Sequence, residues 1–296
     1  MWQSRSRLVV LLVGLLAVFC SGRAAAAGFN NGSLQGTYVF VARGLSNGLP
    51  NTAPLVPTSY FGKAVFNGNG TCSISQGLYN LDAGLNGGFI APLQSASQGC
   101  TYSVNADGTG TVNLAFLNNL PSLSLSIFVV DNGNEVMFSM QTFGQMTNGE
   151  SFFRKQVNQA QNYSNASLNG GWVWEGKGVA GPAGSAFFPL IPQEATALFL
   201  FDGAGHCTLT GIQNINAGIP PGATLPLNSA PNGCTYSVNA DGTGIVNISL
   251  TPAIQGGFAL SFMFARDTEL QCETGTVGAI ASDKCWVRKQ VNPDQQ

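Results

Sequence analysis

Side chains that could carry acid–base, nucleophilic or metal chemistry are scarce in this sequence. The 296 residues include 12 basic residues, 14 acidic residues and a single histidine, His206. One histidine excludes a metal centre built from several histidines, and it allows a Ser-His-Asp triad at one place only. The basic residues form no stripe that could follow a phosphate backbone, so we expect no nucleic-acid partner.

The motif that most resembles a ligand set is Asn105-x-Asp107-x-Thr109, which imitates the first half of a calcium loop and recurs at residues 239–244. The position that would hold a bidentate glutamate is Phe116, and the flanking segments have strand patterns instead of helix patterns. We therefore predict a hairpin turn here, and neither a metal nor any other cofactor.

Two carboxylates, Glu135 and Glu269, each begin a predicted strand beside a turn. Solvated strand ends are the ordinary place for such residues, so we assign no catalytic residue. A polar cluster around either glutamate at the mouth of a barrel would instead indicate a cyclase-like isomerase.

An internal duplication organises the chain. The sequence GCTYSVNADGTG occupies residues 99–110 and again residues 233–244, an offset of 134, and shorter matches extend the duplication across both halves. The matched segments FNGNGTC and FDGAGHC place Thr71 of the first half opposite His206. A catalytic histidine would therefore exist in one half only, and we predict that His206 is a surface turn residue.

The N-terminus has the pattern of a cleaved signal peptide. Arg5 and Arg7 precede an apolar run at 8–20, and small residues follow at 24–27. The run of 13 residues is too short to span a bilayer, so we expect an exported protein, secreted or periplasmic, without a membrane span. The predicted organisation is a signal peptide at 1–27, a first barrel at 28–158, a linker at 159–166, a second barrel at 167–292 and a tail at 293–296.

Alternation with period two, bounded by turn residues, predicts eight strands in each unit. In the first unit they lie at about 36–43, 58–67, 70–80, 99–106, 109–116, 123–131, 134–142 and 150–157. Tight turns rich in Asn, Asp and Gly alternate with long connections, so an up-and-down order places all long loops at one end. The predicted fold class is all-β, with two tandem eight-stranded antiparallel meander barrels.

The first and last strands carry a short pattern of a known group. Gly170-Gly171-Trp172 precedes Arg288 on the last strand of the second unit, and the first unit has Tyr38 and Arg154 at these places. The layout resembles the calycin group of lipocalin-like barrels. That resemblance implies a ligand mouth at the long-loop end and a closure in which each arginine packs over the first-strand ring. Tyr38 in place of Trp is a departure, and a barrel of the allene-oxide-cyclase type is an equal alternative.

The cysteines after residue 27 are even in number, which in an exported chain favours disulfides. They are Cys72, Cys100, Cys207, Cys234, Cys272 and Cys285. Cys272 and Cys285 flank the last long loop symmetrically, and we predict that they are bonded. The predicted strands would place Cys72 about 20 Å from Cys100, beyond disulfide reach. A bridge within each unit through a bend at Gly77 and Gly211, a bridge between units, and separate thiols are the three possibilities.

The long loops are the remaining candidates for function. Residues 44–57, 81–98, 178–193 and 215–232 are nearly uncharged and rich in Gly, Pro and large apolar residues. Such loops either cover the mouth, form an apolar contact surface, or fill the barrel as core. The candidate ligand-binding residues are Leu49, Leu55, Phe89, Ile90, Phe187, Phe188, Leu190 and Leu225.

Binding is the predicted activity because few charged residues recur in both units. Catalytic turnover would need more reactive side chains than these. We predict a non-enzymatic exported protein that holds a small apolar molecule at the long-loop end of each barrel. The alternatives are a structural or adhesive protein with an envelope or surface partner, and the cyclase-like isomerase. A sixteen-stranded outer-membrane pore is disfavoured by the six cysteines and the polar C-terminus.

Overall fold

The computed structural model describes ten stretches of the chain. They are residues 28–47, 55–81, 89–120, 122–141, 145–156, 162–180, 191–215, 223–251, 257–274 and 279–290. The predicted signal peptide and tail lie outside these residues. We call residues 28–156 the first unit and residues 162–290 the second unit.

Both units are built from antiparallel strands, which confirms the all-β prediction. The first unit contains β1 (Gln35–Asn47), β2 (Leu55–Asn67), β3 (Cys72–Leu81), β4 (Phe89–Pro92), β5 (Ser95–Val104), β6 (Thr109–Phe116), β7 (Leu123–Val130), β8 (Glu135–Met140) and β9 (Gln145–Lys155). The second contains β10 (Asn169–Ala180), β11 (Ile191–Asp202), β12 (Cys207–Ile215), β13 (Ala223–Val238), β14 (Thr243–Thr251), β15 (Gly257–Arg266), β16 (Glu269–Thr274) and β17 (Ala279–Lys289). Short 3₁₀ turns at Asn31–Ser33, Asp131–Gly133 and Asn165–Ser167 complete the described elements.

The second unit is a closed barrel in which β10 to β17 pair in chain order and β17 pairs with β10. The first unit is a nine-stranded sheet in the order β4-β3-β2-β1-β9-β8-β7-β6-β5. Its two edge strands, β4 and β5, are only two residues apart in the chain, so the sheet curls until its edges approach. Shifted by the repeat offset of 134, β4 and β5 together cover the same residues as β13.

The predicted fourth strand begins ten residues too late. Residues 89–92, 95–98 and 223–232, predicted as loops, lie in β4, β5 and β13. Two features hid these strands. Pro226 stands inside the β12–β13 ladder, where proline is uncommon, and a register shift between Ser229 and Cys234 breaks the alternation. Asn232 has a φ of 57° within that shift.

The longer strand explains the disulfides that the sequence left open. Because β13 starts at Ala223, Cys234 lies near the tight-turn end and not near the long loops. Cys207 and Cys234 are bonded with a Cα–Cα distance of 4.9 Å, and Cys72 and Cys100 are bonded at the same distance. The predicted bridge between Cys272 and Cys285 is confirmed, with a Cα–Cα distance of 5.2 Å.

Aromatic side chains fill the described interior of both units. Rings from strands that are not neighbours meet across the interior. Tyr60 of β2 lies 6.0 Å from Phe116 of β6, and Trp174 of β10 lies 5.5 Å from Phe258 of β15, measured between ring centroids. Alternation places these rings inside, as it does for the buried Leu125 of β7. The middle of each unit is therefore packed core.

The part of the predicted linker that the structure describes belongs to the second unit. Tyr163 is buried, its ring stacks on Phe264 at 4.5 Å, and its backbone N–H donates to the Ala240 carbonyl at 3.1 Å. Phe29 makes the same backbone bond to Ala106 in the first unit. Each unit thus begins with a short segment that covers its tight-turn end.

Gly211 sits where β11 and β12 approach closely, and it allows a specific prediction. A Cβ at this position would lie 2.3 Å from the Thr196 carbonyl oxygen and 2.4 Å from the Ala197 Cβ. We expect Gly211→Ala to lower the free energy of unfolding by about 1–3 kcal/mol, because backbone atoms must move apart. Urea denaturation measures this. Gly171→Ala is the control, because the nearest atom to its Cβ is the end of the flexible Gln290 side chain, at 2.9 Å. Equal losses of stability in both variants would contradict the prediction.

Candidate functional site

The calcium-like motif forms the predicted hairpin turn. In the first unit, the Asp107 carboxylate accepts hydrogen bonds from the Thr109 backbone N–H at 3.0 Å and from its hydroxyl at 2.7 Å. The hydrogen bond from the Thr109 hydroxyl lowers the pKa of the Asp107 carboxyl. Asp241 and Thr243 repeat both bonds in the second unit. The oxygen atoms of the motif are therefore used to hold the turn.

His206 lies in the β11–β12 turn, and its side chain is exposed, as predicted for a surface turn residue. The Asp202 carboxylate accepts hydrogen bonds from the backbone N–H groups of Ala204, Gly205 and His206 at 2.7–3.0 Å. These bonds, that of Ala204 first, lower the pKa of the Asp202 carboxyl. Asp202 thus acts as the anchor of the turn.

The charged residues that the sequence could not place meet between the two units. The outer faces of β1, β2 and β9 lie against β15, β16 and β17. Val39, Val41, Phe61 and Phe152 of the first unit form one buried cluster with Met263 and Ala265 of the second. The contact between the units therefore has a dry apolar centre.

Arg43 of β1 is fully buried beside this cluster. Its guanidinium pairs with Glu150 of β9 at 2.5 Å and with Glu273 of β16 at 3.5 Å, and it donates to the Cys272 carbonyl. Arg43 and Glu273 each have 0% side-chain exposure. A buried charge requires oppositely charged partners. The two partners of Arg43, Glu150 and Glu273, come from different units.

A second, partly buried arginine also joins the units. Arg154 of β9 pairs with Glu135 of its own unit at 3.2 Å and, more closely, with Glu269 of the other unit. Glu269 is buried, so the prediction of a solvated strand end is wrong for this residue. Both glutamates lie on the outer face near the tight turns. They are thus far from the mouth at which an isomerase site was considered.

The predicted arginine closure is also corrected. Arg154 pairs with Val39 in register, and Tyr38 with Lys155, so Arg154 and Tyr38 point to opposite faces of the sheet. The Arg154 guanidinium lies over the Phe152 ring, 4.7 Å from its centroid. In the second unit, Arg288 lies 3.9 Å from the ring centroid of Trp286, and Trp172 is buried inside the barrel.

Tyr38 is held inside by its hydroxyl, which donates to the Gly133 carbonyl at 2.5 Å. Burial raises the pKa of the Tyr38 phenol from 10.0 to about 12. A raised folded-state pKa stabilises the fold below pH 10, and that contribution is lost as the pH rises from about 10 to 12. We expect Tyr38→Phe to flatten the alkaline fall of unfolding free energy in this range, measured by urea titration at each pH. An identical fall in both proteins would count against it.

The candidate mouth residues divide into two groups. Leu49, Phe187, Phe188 and Leu190 lie outside the described residues. Leu55, Phe89, Ile90 and Leu225 lie in β2, β4 and β13, so their placement in loops is wrong. Leu225 pairs with Gln213, Ile90 pairs with Asn80, and both side chains are partly buried.

Trp174 is a buried polar side chain inside the closed barrel, and it contacts Phe258 at the long-loop end. Its ring stacks with Phe258 and packs over Gly176, where a Cβ would lie 2.7 Å from the indole. The side chain is 7% exposed, and its Nε1–H has no hydrogen-bond partner among the described residues. Leaving a buried donor unsatisfied costs about 1–3 kcal/mol, so an acceptor from outside would be favoured here.

No protein-family model matches the chain, and no curated protein sequence matches it. Among the residues that the structure describes, no helix is long and apolar enough to cross a membrane. Arg43, Glu150 and Glu273 were missed in the sequence. The available signal was a charged residue on an otherwise apolar strand, Val39 to Arg43.

Proposed function

We propose that the chain is an exported, non-enzymatic interaction protein made of two barrels of one design, held together as a fixed pair. The three disulfides are typical of an oxidising compartment outside the cytoplasm. The second barrel of the pair, in this proposal, is the curled first unit. Its support is the match of β4 and β5 to β13, and the bridge of Thr71 to Thr101 that repeats the bridge of His206 to Thr235.

The observation that carries the proposal is the buried ionic contact between the units. Arg43 and Arg154 of the first unit bind Glu273 and Glu269 of the second, around an apolar centre. A contact of this kind fixes spacing and orientation, which suits a protein that presents its outer surfaces to partners. The charged residues that recur in both units serve turns and this contact, and the described interiors are filled by rings.

Binding to isolated envelopes of the producing cells tests the proposal. We expect saturable binding of the labelled, disulfide-bonded chain, competed by the unlabelled chain. Trp174→Phe changes the mouth of the closed barrel and leaves the outer faces intact, so this variant should bind envelopes equally well. Binding that does not saturate, or that Trp174→Phe abolishes, would overturn an interaction through the outer faces.

A small apolar ligand at the long-loop end of the closed barrel is the second candidate, and Trp174 is the observation that favours it. The ligand would have an apolar body to lie on the ring and one acceptor for the Nε1–H. Native mass spectrometry of gently purified protein should then show a bound molecule. Trp174→Phe replaces the indole with a smaller aromatic ring and removes the donor, so the bound fraction should fall; an adduct-free wild-type spectrum would end this candidate.

A further inference from the structure

The contact between the units joins two different surfaces of the same repeat. We call the outer face of β15 and β16, with Met263, Glu269, Gln271 and Glu273, the docking face. β17, beside the docking face, also contacts β1, β2 and β9. The outer face of β1, β2 and β9, with Val39, Val41, Arg43, Phe61, Phe152 and Arg154, is the receiving face. Because the second unit offers the docking face and the first unit offers the receiving face, the contact is heterologous. The counterpart of the docking face on β7 and β8 and the counterpart of β1 and β2 on β10 and β11 are left over in every chain, whereas β9 and β17 already take part in the internal contact.

The leftover docking face belongs to the first unit and is apolar. Strand register places Phe128 where the second unit has Met263, and Met137 where it has Gln271. Met263 and Gln271 are 5% and 0% exposed, whereas Phe128 and Met137 are 56% and 55% exposed. Phe128 and Met137 are direct cross-strand partners on β7 and β8, so they form one patch.

This patch is continuous with the existing contact. Met137 pairs in register with Phe152, which is buried in the cluster between the units. Glu135, the counterpart of Glu269, lies on the same face and pairs in register with Arg154. The docking face of the first unit therefore keeps both kinds of group, apolar and acidic, that the second unit uses.

The leftover receiving face belongs to the second unit. Val173 corresponds to Val39 and Arg288 to Arg154, and each pair is joined by the same register across the first and last strands. Val39 is 0% exposed, whereas Val173 is 41% exposed. Leu200, on the neighbouring strand β11, is also exposed, and the Arg288 side chain is exposed. The exposed basic group and apolar residues are therefore complementary to an acidic and apolar docking face.

We propose that a second copy of this chain covers these faces head to tail, with Phe128, Met137 and Glu135 of one copy on Val173 and Arg288 of the next. The part of the internal contact that β15 and β16 make provides the template for this arrangement, because β9 and β17 of each copy are already in contact inside that copy. A heterologous contact generates a ring if its rotation closes and an open filament if it does not. The inference deepens the proposed interaction function and rests on it, because it names one partner of the outer faces.

The contact between copies is weaker than the internal one. Lys177 stands in place of Arg43, and Ser139 in place of Glu273, so the most buried ion pair has no counterpart. Leu198 replaces Lys63, which binds Asp241 in the internal contact. The remaining charge pair is Glu135 with Arg288. Association should therefore be reversible and should depend on concentration and salt.

Sedimentation velocity of the full exported chain over a wide range of concentrations tests the proposal. We expect the average mass to rise above that of one chain. A docking variant, Phe128→Ser with Met137→Ser, and a receiving variant, Val173→Ser with Arg288→Glu, should each weaken association by roughly tenfold or more. Leu117→Ser removes an exposed apolar residue outside both faces and should associate like the wild type.

Mixing the two variants gives the decisive result. Each variant keeps one intact face, so an equimolar mixture should form dimers while neither variant does so alone. A receiving variant that still associates by itself would show a symmetric contact and overturn the proposal, as would a wild type that is a monomer throughout. A monomeric wild type that still binds envelopes would overturn self-assembly alone, so the two proposals fail separately.

Discussion

Replacing Arg43 with alanine is expected to lower the free energy of unfolding by about 3–5 kcal/mol, because the change removes the buried cation that Glu150 and the buried Glu273 face. The loss exceeds that of a missing hydrogen bond, since the Glu273 carboxylate was removed from water when the units came together. Urea denaturation followed by fluorescence and circular dichroism measures it. We also expect the two units, which no longer share this ion pair, to unfold at separate urea concentrations.

A triple substitution separates the ionic cluster from the packing around it. Arg43→Met with Glu150→Met and Glu273→Met fills a similar volume without charge, and such replacements of buried ionic groups are often neutral or stabilising. This variant should recover most of the stability that Arg43→Ala loses. If Arg43→Ala is no less stable than the triple variant, the loss of the Arg43 charge does not determine the stability of the contact.

Removing the bridge between Cys207 and Cys234 is expected to cost about 3.5 kcal/mol. The bonded residues are 27 apart in the sequence, and the loop-closure entropy of the unfolded chain sets this magnitude. Both sulfurs are buried, so replacement by alanine also removes some packing. The double variant Cys207→Ala with Cys234→Ala is compared with the wild type by urea denaturation under non-reducing conditions.

Wild-type protein treated with a reductant keeps the sulfur atoms in place and opens all three bridges. It should lose more stability than the double alanine variant, because the constraint that each bridge puts on the unfolded chain is the main contribution. Cys72→Ala with Cys100→Ala should behave alike, since the Cα–Cα distances are equal and the sequence separation is 28. A loss below about 1 kcal/mol in the variants would contradict this origin of the effect.

The turns were the part of the fold that local sequence could predict. Asp107 and Thr109 form the turn by hydrogen bonds between residues two apart, so the motif alone is enough to predict the turn. The alternation of Leu125 with smaller residues on β7 likewise follows from burial of one face. The strand that begins at Ala223 was missed because Pro226 and a register shift obscure its alternation, although neighbouring strands pair with it.

The sequence by itself determined that this is a duplicated all-β protein with tight turns at one end and a bridge between Cys272 and Cys285, because these features depend on residues close in the chain or on identity between its halves. Only the tertiary structure decided how the units meet. Arg43 is separated from Glu150 by 107 residues and from Glu273 by 230. The residues around a charged strand position do not indicate its distant partner. Which outer faces are buried between the units and which stay exposed is therefore decided by the packing of the two units.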